Sequence, residues 1–225
     1  MVPLNSVTKS GASRYNFPNA SMTKPPEEGR IWEWRAFGHL SETLAAKVRA
    51  YPVRFSDLRG DDIYLISPLS DQNVKLRSYA RGWVLKLKLL FETKAAPFEL
   101  YHESSEFTYQ FPVALDRLKD AARLLGVTLP VGAHSFDRLD DGEFVKALVE
   151  SSPAVAQTRV SKRRSQYQFE KGWLELADVK FPTRDIQSVS VHSSEIAVVK
   201  EMIERLQPGD ELEPMNYIEA CRRWG

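Results

Sequence analysis

Val84-Leu85-Lys86-Leu87-Lys88-Leu89-Leu90 alternates apolar and charged residues almost without a break. A β-strand puts such a series on two faces, one apolar and one cationic. Three further segments carry related patterns. In Trp32-Glu33-Trp34-Arg35-Ala36-Phe37 the charges alternate with large apolar groups, and Lys75 and Arg77 alternate with Val74 and Leu76. Thr158-Arg159-Val160-Ser161-Lys162-Arg163-Arg164 is equally basic but lacks an apolar face, because Arg159, Ser161 and Arg163 oppose Lys162 and Arg164. The cationic side chains that share one face are then Arg35, Lys75, Arg77, Lys86, Lys88, Lys162 and Arg164. Taken one strand at a time, these are the ordinary solvated side of a sheet. Taken together, they set a core on one side and a dense cation field on the other. Like charges facing each other across a sheet destabilise it unless something anionic compensates. A sheet curved and closed on its charged face concentrates that field on a polyanion such as a triphosphate.

The surrounding chain supplies the rest of such a sheet. Strands are predicted across 98–111, 172–181 and 186–192, and the short turns Ala80-Arg81-Gly82 and Lys94-Ala95-Ala96-Pro97 favour antiparallel pairing. Five helices punctuate the strands. Ser41 caps one that runs to about Tyr51, a second runs from Leu115 to Leu125 and stops at Gly126, and a third follows Asp140 and Asp141. Ser194 precedes a fourth, striped by Ile196, Val199, Ile203 and Leu206, and Asn216 caps a last one through Arg222. The order has no βαβ rhythm, so the class is α+β with an antiparallel sheet.

Composition bounds the partners. The 225 residues hold 31 Lys and Arg against 30 Asp and Glu, a net charge of +1, which gives no bulk-charge argument for DNA or a membrane surface. Hydrophobic residues at 43% and charged residues at 27% are a globular composition and exclude wholesale disorder. The lone Cys221 rules out an internal disulfide and a cysteine-based zinc site. With no long apolar run and no secretory pattern at the start, a cytoplasmic protein without a membrane or DNA partner is expected. Residues 1–29 read as a flexible tail and 30–225 as one domain, with Met22 as an alternative translation start. Nucleotide-loop and zinc-helix motifs are lacking. Asp137, Asp140, Asp141 and Glu143 match a solvated helix start better than a calcium loop, and His39, His102, His134 and His192 have no ligand spacing.

Read in order, the charged strands resemble those of the CYTH superfamily, the triphosphate tunnel metalloenzymes, which include class IV adenylate cyclases, thiamine triphosphatases and inorganic triphosphatases. Ile31-Trp32-Glu33-Trp34-Arg35 matches the family's opening Glu-x-Glu-x-Lys strand, and Asp62-Ile63-Tyr64 its acidic-aromatic strand. Lys75-Leu76-Arg77, Leu85-Lys86-Leu87-Lys88 and Lys162-Arg163-Arg164-Ser165-Gln166-Tyr167 match its later basic strands. The likeness spans about residues 31–206, and each motif is short. It implies an eight-stranded antiparallel tunnel with helices outside, basic residues for phosphates and acids for a divalent metal, magnesium or manganese.

The departures concern the acids. Ile31 stands at the first Glu position, leaving Glu33 as the one metal candidate in place, and the closing strand reads Ser188-Val189-Ser190-Val191-His192 where a Glu-x-Glu is expected. The Asp of the preceding strand falls near Ala177; Glu175 and Asp178 flank it, three apart and on opposite faces. Glu99, Glu103 and Glu106 are further candidate carboxylates, with Glu106 on the other face from the first two. Hard cations need carboxylate oxygens. The expectation is therefore a protein that binds a phosphorylated small molecule or polyphosphate in a cationic tunnel, its catalysis weakened or lost. The alternatives are a divergent metal-dependent triphosphatase and a non-catalytic interaction scaffold.

Overall fold

The structure, a computed structural model, describes residues 29–94, 98–102, 107–129 and 137–225. The tail predicted over 1–29, apart from Gly29, lies outside these residues, as do Glu103, Glu106 and His134. Twelve strands and five helices are described. The strands are β1 Arg30–Gly38, β2 Val53–Ser67, β3 Ser70–Tyr79, β4 Gly82–Lys94, β5 Phe98–His102, β6 Thr108–Gln110, β7 Val113–Ala114, β8 Arg138–Leu139, β9 Ala156–Phe169, β10 Gly172–Lys180, β11 Asp185–Ser193 and β12 Leu212–Pro214. The helices are α1 Glu42–Arg49, α2 Leu115–Leu124, α3 Asp141–Ser151, α4 Ile196–Leu206 and α5 Tyr217–Trp224.

Eight strands close into an antiparallel barrel in the order β1-β11-β10-β9-β2-β3-β4-β5, and β5 returns to β1. This is the α+β barrel with outer helices that the alternation and the resemblance both imply. The apolar faces point outward and are covered. Trp32, Trp34 and Ala36 of β1 pack with Leu174 and Val191 under α1 and α4, while Val74, Leu76, Leu85 and Leu87 pack under α2 and α3. Burying such a side chain is worth about 1.5–3 kcal/mol, so these two outer layers hold the helices in place.

No described helix packs over the outer side of β9 at Arg159, Ser161 and Arg163, where ion pairs to Asp61 and Asp57 take the place of apolar contacts. That is why this strand alternates charged with charged rather than charged with apolar.

Local signals set the helix ends. Ser41 accepts from the Leu44 amide, Asp140 and Glu143 form a reciprocal capping box, and Asn216 does the same with Glu219. Gly126, at φ +71°, ends α2 as predicted. The fourth helix differs from its reading, since Glu195 rather than Ser194 precedes its first residue and no side chain caps it.

One end of the barrel is filled. Inward residues Phe37, Tyr64, Val160 and Val179 pack against Met215, Tyr217, Ile218 and Trp224, so α5 closes that end with an apolar plug. Among the described residues, no helix is long and apolar enough to cross a membrane.

Candidate functional site

Beyond the plug, the inward face turns charged and surrounds a cavity of about 250 Å³. Arg35, Lys75, Arg77, Lys88, Lys162 and Arg164, drawn from four strands, line it. Lys86 faces Lys75 across β3 and β4, on the same side, but is half-buried and stands outside the lining. Arg54, which sequence reasoning missed, completes the cationic lining from the unpredicted first half of β2.

The registers of β1, β10 and β11 build the acidic complement. Glu33 lies opposite both His192 and Glu99, and Arg35 and Glu175 flank Ser190. At Gly172 the chain passes so close to β11 that an added Cβ would lie 2.0 Å from the His192 carbonyl oxygen. A larger residue there would push Trp173 away from His192, on whose ring it stacks at 4.7 Å.

Glu33, Asp62 and Glu175 are tied to protein cations. Glu33 accepts from Arg35 at 2.9 Å and from Lys88. Asp62 takes two bonds from Arg77, at 2.7 and 2.9 Å, and one from Lys162 at 2.7 Å, with Lys75 at 3.8 Å. Glu175 holds Arg35 at 3.3 Å, Gln166 at 2.9 Å and Arg164 at 3.6 Å. Glu33 and Arg35, two apart on β1, thus pair with each other as well as across the barrel. Glu175 is the carboxylate that β10 turns inward, whereas Asp178 points out and is bonded by Gln187. The two do face opposite sides, as their spacing requires.

Burial and charge then divide the titrating groups. Burial alone pushes the Glu33 and Asp62 carboxyls up, but Lys88 and Arg35, and Lys162 and Arg77, outweigh it and hold both well below the usual range. For Glu175 burial is likewise overcome, by Arg35 and Arg164, to about 2. Glu99 is the exception. Burial lifts it to about 7 despite hydrogen bonds from Tyr101 and Asn216. Burial lowers Lys162 to about 8 and His192 to about 4. His192 is therefore a neutral imidazole at physiological pH, with Ser190 Oγ 2.9 Å from Nε2 and Glu33 Oε2 3.7 Å from Nδ1.

These donors do not suit a divalent metal. Among the described residues no three His, Cys, Asp or Glu side chains gather where they could hold an ion. The oxygens of Glu33, Asp62 and Glu175 already accept from the barrel's own cations. What the lumen lacks is partners for other groups. Asn73 Oδ1, Arg164 Nε, His192 Nδ1 and Tyr217 Oη are buried, belong to residues lining this one cavity, and make no hydrogen bond among the described residues. Of the other histidines, His39 is exposed and His102 is buried between Phe91 and Phe107.

No family model matches the chain, and no curated protein matches it. Among solved structures it is similar to the PH1819 protein of Pyrococcus horikoshii OT3, at 14% identity over 85% of this chain and 98% of that one, with a TM-score of 0.49. It is also similar to HpAC1 of Hippeastrum, an adenylyl cyclase candidate with a dominant triphosphatase activity, at 10% identity over 86% and 95% of the two chains and a TM-score of 0.49. An adenylate cyclase candidate from Bacillus halodurans matches at 14% identity over 85% and 98%, with a TM-score of 0.46.

Proposed function

We propose that the protein binds a phosphorylated polyanion, such as tripolyphosphate or the phosphate chain of a nucleotide, inside this barrel as a divergent CYTH-like tunnel protein with weakened or lost catalysis. The carrying observation is the gathering of three buried donors that make no hydrogen bond among the described residues, Arg164 Nε, His192 Nδ1 and Tyr217 Oη, around one cation-lined cavity. Buried polar groups in folded proteins are almost always hydrogen-bonded, and each one left without a partner costs about 1–3 kcal/mol. Three such donors around one cation-lined cavity suit the oxygens of an anion. The charges agree. Seven cationic side chains line the cavity against two carboxylates, Glu33 and Glu175, with Asp62 buried behind three of the cations.

Size narrows the ligand. At about 250 Å³ the cavity is smaller than the sites of about 300–1,000 Å³ that enclose drug-sized molecules, and it suits a short phosphate chain. A scaffold whose charges served only as surface salt bridges would expose Arg35, Lys75 and Lys162, which are instead buried. Hydrolysis through a metal would need carboxylate oxygens that Arg35, Lys88, Arg77 and Lys162 already occupy.

Titration calorimetry of the full chain with tripolyphosphate tests the reading. Binding that weakens as salt rises is expected, because the contacts are ionic. Absence of binding to tripolyphosphate, pyrophosphate and nucleoside triphosphate alike would refute it.

A further inference from the structure

A divalent cation entering this lumen with a phosphate chain would find every inward carboxylate already engaged. Glu33 is held on its two oxygens by Arg35 and Lys88, and Asp62 on its two by Arg77 and Lys162. Glu175 is held by Arg35 and Gln166, and Glu99 by Asn216 and Tyr101. Magnesium is usually anchored to a protein by one or two carboxylates while it keeps several waters. Here a bond to Glu33 or Asp62 would displace a buried Arg or Lys from its carboxylate and set it beside a dication, which is strongly unfavourable, and a bond to Glu175 or Glu99 would displace a buried hydrogen-bond donor.

Hydrogen-bond donors, by contrast, stand ready. Among the described residues, Arg164 Nε carries a proton with no acceptor, as does Tyr217 Oη. For His192, the Glu33 carboxylate 3.7 Å from Nδ1 favours the tautomer with its proton there, and Nε2 then accepts from the Ser190 hydroxyl at 2.9 Å. The imidazole plane is fixed by the stack on Trp173, with ring planes 5° apart. The closing strand thus offers the lumen a neutral donor at His192.

On the strength of the polyanion reading above, we infer that the lumen takes its phosphate chain free of divalent metal, with Arg164 Nε, Tyr217 Oη and His192 Nδ1 donating to oxygens that a metal would otherwise cover. Magnesium then competes with the protein for the anion instead of bridging the two.

The test is calorimetry of the full chain with tripolyphosphate, in excess EDTA and in millimolar magnesium at matched ionic strength. Affinity should be highest in EDTA and fall several-fold as magnesium complexes the anion. Tyr217→Phe keeps the ring that stacks on Tyr64 at 5.5 Å and removes only the hydroxyl. It should weaken binding in EDTA about ten-fold, the effect of losing one hydrogen bond to a charged group. His192→Ala should weaken it to a similar degree without creating a magnesium requirement. Tighter binding with magnesium, or binding only with magnesium, overturns the inference and leaves the polyanion reading standing. No binding under either condition overturns that reading, and the inference falls with it. Binding favoured by EDTA but unchanged in both variants overturns the donor assignment.

Discussion

The two ends of the barrel lumen are built from the same strands and behave as opposite materials. On β1 the inward series runs Glu33, Arg35, Phe37; on β2 Asp62, Tyr64, Ile66; on β9 Arg164, Lys162, Val160; on β10 Glu175, Ala177, Val179. Within one or two inward steps each strand passes from charge to hydrocarbon. The boundary is where α5 enters. Where Tyr217, Ile218 and Trp224 supply apolar partners, burial stabilises the fold by the area removed from water. Where no helix enters, the inward groups must satisfy one another, and the Coulomb gain of each pair is largely offset by desolvation. The plugged end therefore contributes stability in proportion to packing, and the charged end contributes a fixed geometry at little net gain.

That contrast can be broken by substitution. The largest effect is expected at Asp62, which pairs with Arg77, Lys162 and Lys75. Asp62→Ala should cost about 4 kcal/mol in urea unfolding, because it removes a buried carboxylate that pairs with three cations. A cost below about 1 kcal/mol, the figure for surface pairs, would mean the charged end is wetter than described. Ile218→Ala, in the plug, should cost about 3 kcal/mol through cavity formation and leave the response of the folded protein to phosphate unchanged. A lost response would show that the two ends are not separable.

A smaller and more telling effect is expected in the pH dependence. Glu99, raised from 4.5 to about 7, keeps its proton in the folded state, so its contribution is full below pH 4.5 and is lost as pH rises through 7. His192, lowered from 6.5 to about 4, stays neutral when folded, so its contribution is full above pH 6.5 and is lost as pH falls through 4. Between about pH 4.5 and 6.5 the two slopes oppose each other and nearly cancel. Glu99→Gln should then give a stability that rises with pH across this window, and His192→Gln one that falls. Parallel profiles in the two variants would contradict the burial assigned to these groups. Below that window stability should drop in all forms, as Glu33, Asp62 and Glu175, whose folded values are depressed, take up protons.

Much of the barrel was legible because period-two alternation reports a strand's two faces directly. Lys86-Leu87-Lys88 and Trp32 to Phe37 needed nothing more, and Ser41, Asp140 and Asn216 announced their helices by capping chemistry. The first half of β2 was not legible. Val53 to Arg59 has no alternation, because its outer side is solvated and Phe55 is exposed. The site was half visible. The cations stood out as a repeated pattern, but Glu175 was hidden by an expectation centred on Ala177, and only the register of β10 with β11 sets it beside Arg35 and Ser190. That the acids are bound by the barrel's own cations follows from side-chain reach across strands, which spacing along one strand does not encode.

The most direct test of the central claim uses Arg164, whose Nε makes no hydrogen bond among the described residues while Glu175 retains Arg35 and Gln166 without it. Arg164→Gln should therefore cost the unliganded protein much less than Asp62→Ala does, because Glu175 keeps Arg35 and Gln166. Thermal unfolding of both forms with tripolyphosphate at about one hundred times its dissociation constant for the wild type should stabilise the wild type by about 2.7 kcal/mol and the variant by much less. Equal stabilisation of the two forms, or none of the wild type, would contradict the claim that this lumen is a phosphate site.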